Sequence, residues 1–148
     1  MKSSLPVLPC LCSSFRRTSR ALTQLYEQVL NPLGLRVTQF TILQVLALAG
    51  EVTQRQLGDM LVMDSTTLTR ALLIMAREGW IAERRGEDRR QRWLRLSEGG
   101  EKQLKRALPA WEKVQSQLRR RVGGQVWQNL FQLTNQVTNT AIAQGDSQ

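Results

Sequence analysis

The chain has 148 residues, 41% of them hydrophobic, with 21 Lys and Arg against 12 Asp and Glu, a formal charge of +9. That length supports one sizeable core and calls for no second independent domain, while the charge favours a polyanionic partner, nucleic acid before an anionic lipid surface. The absence of histidine excludes histidine-based acid–base or triad chemistry, and Cys10 and Cys12 are too few ligands for a structural zinc site, so no metal, no cofactor and no enzymatic activity is expected.

Pro6 and Pro9 interrupt the first apolar residues, and Arg16 and Arg17 follow at once. No signal peptide or membrane span is read there, which predicts a cytoplasmic protein without a membrane partner. From about Cys12 to Leu30 the residues Phe15, Leu22, Leu25, Tyr26 and Val29 keep a helical period, and Asn31-Pro32-Leu33-Gly34 ends it. Thr38 is expected to cap a second helix. Its Phe40, Ile42, Leu43, Val45, Leu46 and Leu48 are apolar nearly all round, as in a helix at the centre of a small domain, and Ala49-Gly50 closes it. A short helix follows from about Thr53 to Leu61, with Leu57, Met60 and Leu61 inward. A tight connection through Val62 and Met63 then reaches a helix capped by Asp64, and two short helices so joined form a helix-turn-helix. On the second of them Leu68, Ala71, Leu72 and Met75 share one buried face, while Ser65, Thr66, Thr69, Arg70 and Arg77 fall on the other side. Small hydroxyls and a guanidinium suit a helix that lies against phosphates and base edges.

Gly79 ends that helix, and Trp80 to Arg85 and Arg92 to Leu96 read as strands joined by the charged turn from Gly86 to Gln91, a wing. Ser97 is placed to cap a long helix reaching about Arg121, with a stripe of Leu104, Leu108, Trp111, Val114, Leu118 and Val122 and an expected kink at Pro109. After Gly123-Gly124 a last helix carries Val126, Trp127, Leu130, Phe131, Leu133, Val137, Ala141 and Ile142, too wide an apolar face for one neighbour. Residues 144–148 read as a disordered tail. The expected fold is mainly α with a small β wing: a winged helix-turn-helix over residues 35–96, with residues 1–34 and 97–143 as a helical dimerisation region. A two-fold dimer would bury the terminal helices and set two reading helices roughly 34–36 Å apart on one duplex face. Folding back onto the core is the alternative.

Several runs together resemble the multiple-antibiotic-resistance regulator (MarR) family: Leu57-Gly58-Asp59-Met60-Leu61, Asp64 through Arg70, Glu78-Gly79-Trp80-Ile81, and Asp88-Arg89-Arg90 followed by Leu94 through Gly100. The resemblance spans roughly residues 12 to 140. It implies a winged-helix homodimer on a palindromic operator, most often a repressor relieved by a small molecule or by oxidation. It further implies Ser65, Thr66, Thr67, Thr69 and Arg70 in the major groove and Arg90 in the minor groove, with Asp88 orienting a neighbouring arginine.

The residues themselves support these roles unequally. Five arginines, Arg84, Arg85, Arg89, Arg90 and Arg92, surround one turn, and a wing-tip Arg90 suits the negative potential of a narrow groove, although a loop arginine can also be only solvated. Arg70 fits a guanine or phosphate contact or a surface ion pair. Ser65, Thr66 and Thr67 fit phosphate contact and first-turn capping equally, and Gln54 and Arg55 fit phosphate ligands at a helix start. The tryptophans Trp80, Trp93, Trp111 and Trp127 read as core or dimer anchors.

Cys12, followed at Thr18-Ser19-Arg20 and Tyr26, resembles the first helix of the organic-hydroperoxide-sensing repressors of the same family, which implies Cys12 as reactive thiol and Tyr26 as its hydrogen-bond partner. Arg16 stands where those sensors carry a tyrosine, and a small buried apolar role for Cys12 is the alternative. The other trigger is a small aromatic acid held by side chains such as Arg16, Arg20, Phe40, Trp111 or Trp127. Competing with a sequence-specific regulator is a nonspecific DNA-binding or protein-interaction module built on the same winged helix.

Overall fold

In the computed structural model, which describes residues 4–147, helix α1 runs Leu11–Leu30 and turns through a 3-10 segment, Asn31–Leu33. Gly34 closes that turn at φ 77°, a left-handed conformation that glycine adopts without steric cost. Helix α2, Val37–Ala49, is capped at Arg36 and not at Thr38. The third residue of the helix, Gln39, decides this: its Oε1 reaches back to accept the Arg36 N–H at 2.9 Å. As expected, α2 is central, burying Phe40, Ile42, Leu43 and Leu46, but Leu48 is turned outward and is 89% exposed.

A two-residue strand, β1 (Val52–Thr53), then leads into α3 (Gln54–Leu61). Thr53 and Gln56 cap α3 reciprocally, the Thr53 hydroxyl accepting the Gln56 N–H at 3.1 Å and Gln56 Oε1 accepting the Thr53 N–H at 2.9 Å. Helix α3 buries Leu57 and leaves Met60 exposed, contrary to the inward placement its spacing suggested. Val62 makes the turn at φ 51°, a strained conformation for a β-branched residue. Helix α4, Ser65–Arg77, follows and buries Leu68, Leu72 and Met75 on one face, the face its sequence period marked.

Strands β2 (Ile81–Arg85) and β3 (Arg92–Leu96) form the wing, and β1 adds to the far side of β3, so the sheet order is β1-β3-β2, all antiparallel. Arg84 pairs with Trp93, and Trp93 in turn with Thr53. Ser97 caps the long helix α5 (Glu98–Val122), its hydroxyl accepting the Gly100 N–H at 3.0 Å and donating to the Gly79 carbonyl. Gly100 allows α5 to start against the backbone that leads from α4 into β2, because a Cβ there would lie 2.0 Å from the Trp80 carbonyl oxygen. The helix is continuous through Pro109. Gly123, at φ 90°, separates it from α6, Gly124–Gly145, so Gln144 and Gly145 of the expected tail belong to this helix, and the Asp146 N–H bonds the Ile142 carbonyl. Among the described residues no single helix is long and apolar enough to cross a membrane.

The chain divides into two compact units, one reaching to Trp111 and the other starting at Glu112. In the first, one apolar cluster joins Leu30 and Leu35, the inner faces of α2, α3 and α4, the sheet residues Val52, Ile81 and Leu94, and Leu104 and Ala107 of α5. Each such leucine contributes about 1.5–3 kcal/mol relative to an exposed one. In the second, α6 buries none of its residues, and Trp127 meets Phe131 edge-on at 5.2 Å.

Candidate nucleic-acid interface

Burial of Leu68, Leu72 and Met75 turns the opposite side of α4 outward, so Ser65, Thr66, Thr67 and Arg70 are all exposed. The first turn is held by Asp64, whose Oδ1 accepts the Thr67 N–H at 2.9 Å and whose Oδ2 accepts the Thr67 hydroxyl at 2.6 Å. These bonds, the hydroxyl's first, hold the Asp64 carboxyl below the usual carboxylate range. Thr67 therefore serves the cap, and Ser65, Thr66 and Arg70 are the side chains left facing out. Thr69 is half-buried and accepts from Gln54 Nε2 at 3.0 Å, a bond that ties α3 to α4. Gln54, expected as a phosphate ligand, is thus engaged within the protein; Arg55 beside it is exposed.

The wing sorts its arginines into two kinds. On the strands, just before the turn, Arg84 Nε donates to both carboxylate oxygens of Glu51 at 3.0 Å, Nη2 adds a third bond to Oε1, and the guanidinium lies 4.9 Å from the centre of the Trp93 ring. The hydrogen bond from Arg84 is the main cause that holds the Glu51 carboxyl low, and the same bond raises Arg84. Arg92 likewise donates from Nη2 to Glu83. Both had been expected to face DNA, and both are neutralised by a carboxylate across the sheet. At the tip, Arg89 and Arg90 are exposed, and among the described residues neither side chain has an ion-pair or hydrogen-bond partner. Asp88 does orient an arginine, but through the backbone: its Oδ1 accepts the Arg90 N–H at 3.0 Å. Gly86 N–H to Gln91 carbonyl at 3.1 Å, Gln91 N–H to Asp88 carbonyl at 2.9 Å, and Arg85 Nη1 to Arg89 carbonyl at 3.2 Å complete the turn.

Nothing local in the sequence connects Glu51 to a residue 33 positions later. The pattern of the sheet does so, and it depends on β1, a strand too short to show alternation.

The trigger residues are not gathered into one place. Cys12 is exposed at the second position of α1, and Tyr26, half-buried with its hydroxyl pKa raised by desolvation, lies fourteen residues along the same helix. At the helical rise this is about 21 Å, so the expected Cys12–Tyr26 contact does not exist within one chain. Cys10, at the N-cap of α1, has its thiol pKa lowered by the Ser13 backbone first, then by the Ser13 hydroxyl and the Cys12 backbone. Of the suggested pocket, Phe40 and Trp111 do meet, with ring centres 5.9 Å apart, as a wall of the core. Arg16 and Arg20 are exposed on α1, and Trp127 lies in the other unit against Phe131. Among the described residues no three potential ligands gather as a metal site.

Residues 33–91 match the family model described as the MarR family. The chain is 33% identical over 91 residues to the organic hydroperoxide resistance transcriptional regulator of Bacillus subtilis, covering 61% of this chain and 62% of that one. It is 28% identical over 92 residues to the HTH-type transcriptional regulator YwoH of the same organism, covering 62% and 67%. Among solved structures, the transcriptional regulator MosR of M. tuberculosis, in complex with DNA, is 33% identical and superposes with a TM-score of 0.76 over 88% of this chain and 97% of MosR. With a helix-turn-helix, a two-stranded wing and long flanking helices in the family's order, this chain belongs to the MarR family of winged-helix transcriptional regulators.

Proposed function

We propose that the protein is a sequence-specific DNA-binding regulator that acts as a homodimer on a palindromic operator, as a repressor. The observation that carries this is the pairing of two exposed features in one unit: the outer face of α4 with Ser65, Thr66 and Arg70, and a wing tip whose Arg89 and Arg90 have no protein partner among the described residues. Arg70 is assigned to a guanine edge or a phosphate, Ser65 and Thr66 to phosphates and base edges, Arg55 to a phosphate, and Arg90 to the minor groove, with Arg89 beside it on the backbone. Gln54, Thr67, Thr69 and Asp88 shape that surface, and Arg84 and Arg92 hold the wing.

A second copy of the chain suits the outer surface of α6, where Val126, Leu130, Phe131, Leu133 and Ile142 are all exposed. MosR and reduced AbfR, the latter 28% identical to this chain, are both described bound to DNA, which favours the same partner here. Release from the operator is assigned to a small ligand or to oxidation; the exposed Cys10 and Cys12 favour the second.

Selection of bound fragments from the source genome, followed by titration of the best duplex between 50 and 200 mM salt, tests the reading. A dimer with 6–10 phosphate contacts loses about 10³–10⁵ in affinity over that range and prefers one inverted repeat. Equal binding to unrelated duplexes supports the nonspecific module instead, and no binding at any salt rejects both. Loss of operator binding on peroxide treatment, prevented by Cys10→Ser or Cys12→Ser, assigns the trigger to a thiol; retention in the wild type rejects oxidation.

A further inference from the structure

We propose that Glu51 is a positioning residue for the wing, acting through Arg84 to fix where the arginine-bearing tip stands relative to α4; this rests on the DNA-binding reading above. The topology makes the case. Glu51 directly precedes β1, Arg84 is on β2, and these two strands are separated by β3. To reach Glu51, the Arg84 side chain crosses the central strand over the indole of Trp93, 4.9 Å from the ring centre, and ends in a two-pronged bond. The result is a strap across the sheet, fastened at one end three residues before the first residue of α3.

The strap continues toward the tip. Trp93, pressed under Arg84, lies so close to Gly86 that a Cβ there would be 2.8 Å from the indole Nε1, and Gly86 opens the turn that carries Arg89 and Arg90. Glu51, Arg84, Trp93 and Gly86 thus form one contact series from the start of the helix-turn-helix to the base of the turn. A planar guanidinium locked by a fork and a stack has one orientation, which a lysine would not reproduce. An exposed ion pair adds little to folding stability, so its consequence is preorganisation: the wing backbone meets the duplex already placed, and less ordering cost is left for binding. The carboxylate also keeps Arg84 from acting as a phosphate ligand.

The full-length protein with Glu51→Gln, Arg84→Gln and both together provides the test. In the absence of DNA, amide exchange at Gly86 and Gln91 is expected to accelerate about fivefold in each single variant and no further in the double, with melting temperatures close to wild type. Preference for the selected operator over unrelated duplex is expected to fall about three- to tenfold in each, again without adding, and the salt slope is expected to stay unchanged. Unaltered exchange in Glu51→Gln overturns the proposal whether or not the protein binds DNA. A salt slope reduced by about one unit in Arg84→Gln alone makes Arg84 a phosphate ligand and overturns it as well. A wild-type protein that prefers no duplex sinks the DNA-binding reading, and the exchange result then stands or falls by itself.

Discussion

The unit that ends at Trp111 and the unit that begins at Glu112 use the same kind of apolar spacing to opposite ends. In the first, the period of α4 is cashed in locally: Leu68, Leu72 and Met75 are each no more than 1% exposed. In the second, α6 repeats apolar residues at helical spacing and buries none, leaving Phe131 and Leu133 each 56% exposed. Periodicity therefore reports that a face is apolar, not that its own chain covers it. The helix-turn-helix and wing bury their apolar faces within their own unit, whereas α6, like the exposed Leu11, Phe15 and Leu22 of α1, leaves its apolar side chains uncovered.

Matched substitutions in the two units sharpen that contrast. Leu68→Ala is expected to cost about 2–5 kcal/mol at any protein concentration, read from denaturant unfolding, because it opens a cavity beneath α4. Leu130→Glu with Phe131→Glu is expected to leave α4 and the wing folded while weakening self-association by about 30-fold or more, read by sedimentation across concentration. If instead both changes unfolded the protein equally at all concentrations, the distinction between the units would collapse. A third change acts on the surface that neither unit buries: Arg90→Ala is expected to cost about 1–3 kcal/mol of operator binding with no change in association state, and unchanged affinity would remove the wing tip from recognition.

Smaller effects test the local chemistry of the winged unit. Val62→Gly removes a β-branched residue from φ 51° and is expected to stabilise the protein by about 0.5–1 kcal/mol, since the relief of a left-handed valine exceeds the added freedom of the unfolded chain. Glu51 and Asp64 have folded-state pKa values depressed by their hydrogen bonds, so their stabilisation is fully present above the ordinary carboxylate range, about pH 4, and is lost as pH falls through the lower folded values. The melting temperature is expected to hold from pH 7 to 5, decline below about pH 4, and decline less in Asp64→Asn; equal acid sensitivity in that variant would contradict the cap's part in it.

What the sequence revealed follows from where each interaction lives along the chain. Local signals were legible: the Asp64 cap, the α4 face, the glycine stops and the Ser97 cap each depend on residues within a turn of one another. Thr38 misled because Ser and Thr are good caps in general, whereas Gln39 reaching back to Arg36 set the cap two residues earlier. Leu48 and Met60 misled because apolarity near a helix end need not face the core. The wing arginines could be counted but not sorted. Arg84 and Arg92 are distinguished from Arg89 and Arg90 only by carboxylates brought across the sheet, one of them through β1.

Hydroxyl-radical footprinting of the selected genomic duplex tests most directly the claim that α4 and the wing tip act as a pair in a two-copy assembly. The account predicts two protected half-sites related by inversion, with centres about 10–10.5 base pairs apart, and loss of the protection attributable to the wing in Arg90→Ala. A single protected patch without a symmetric mate, or a duplex cleaved evenly along its length at saturating protein, would contradict it.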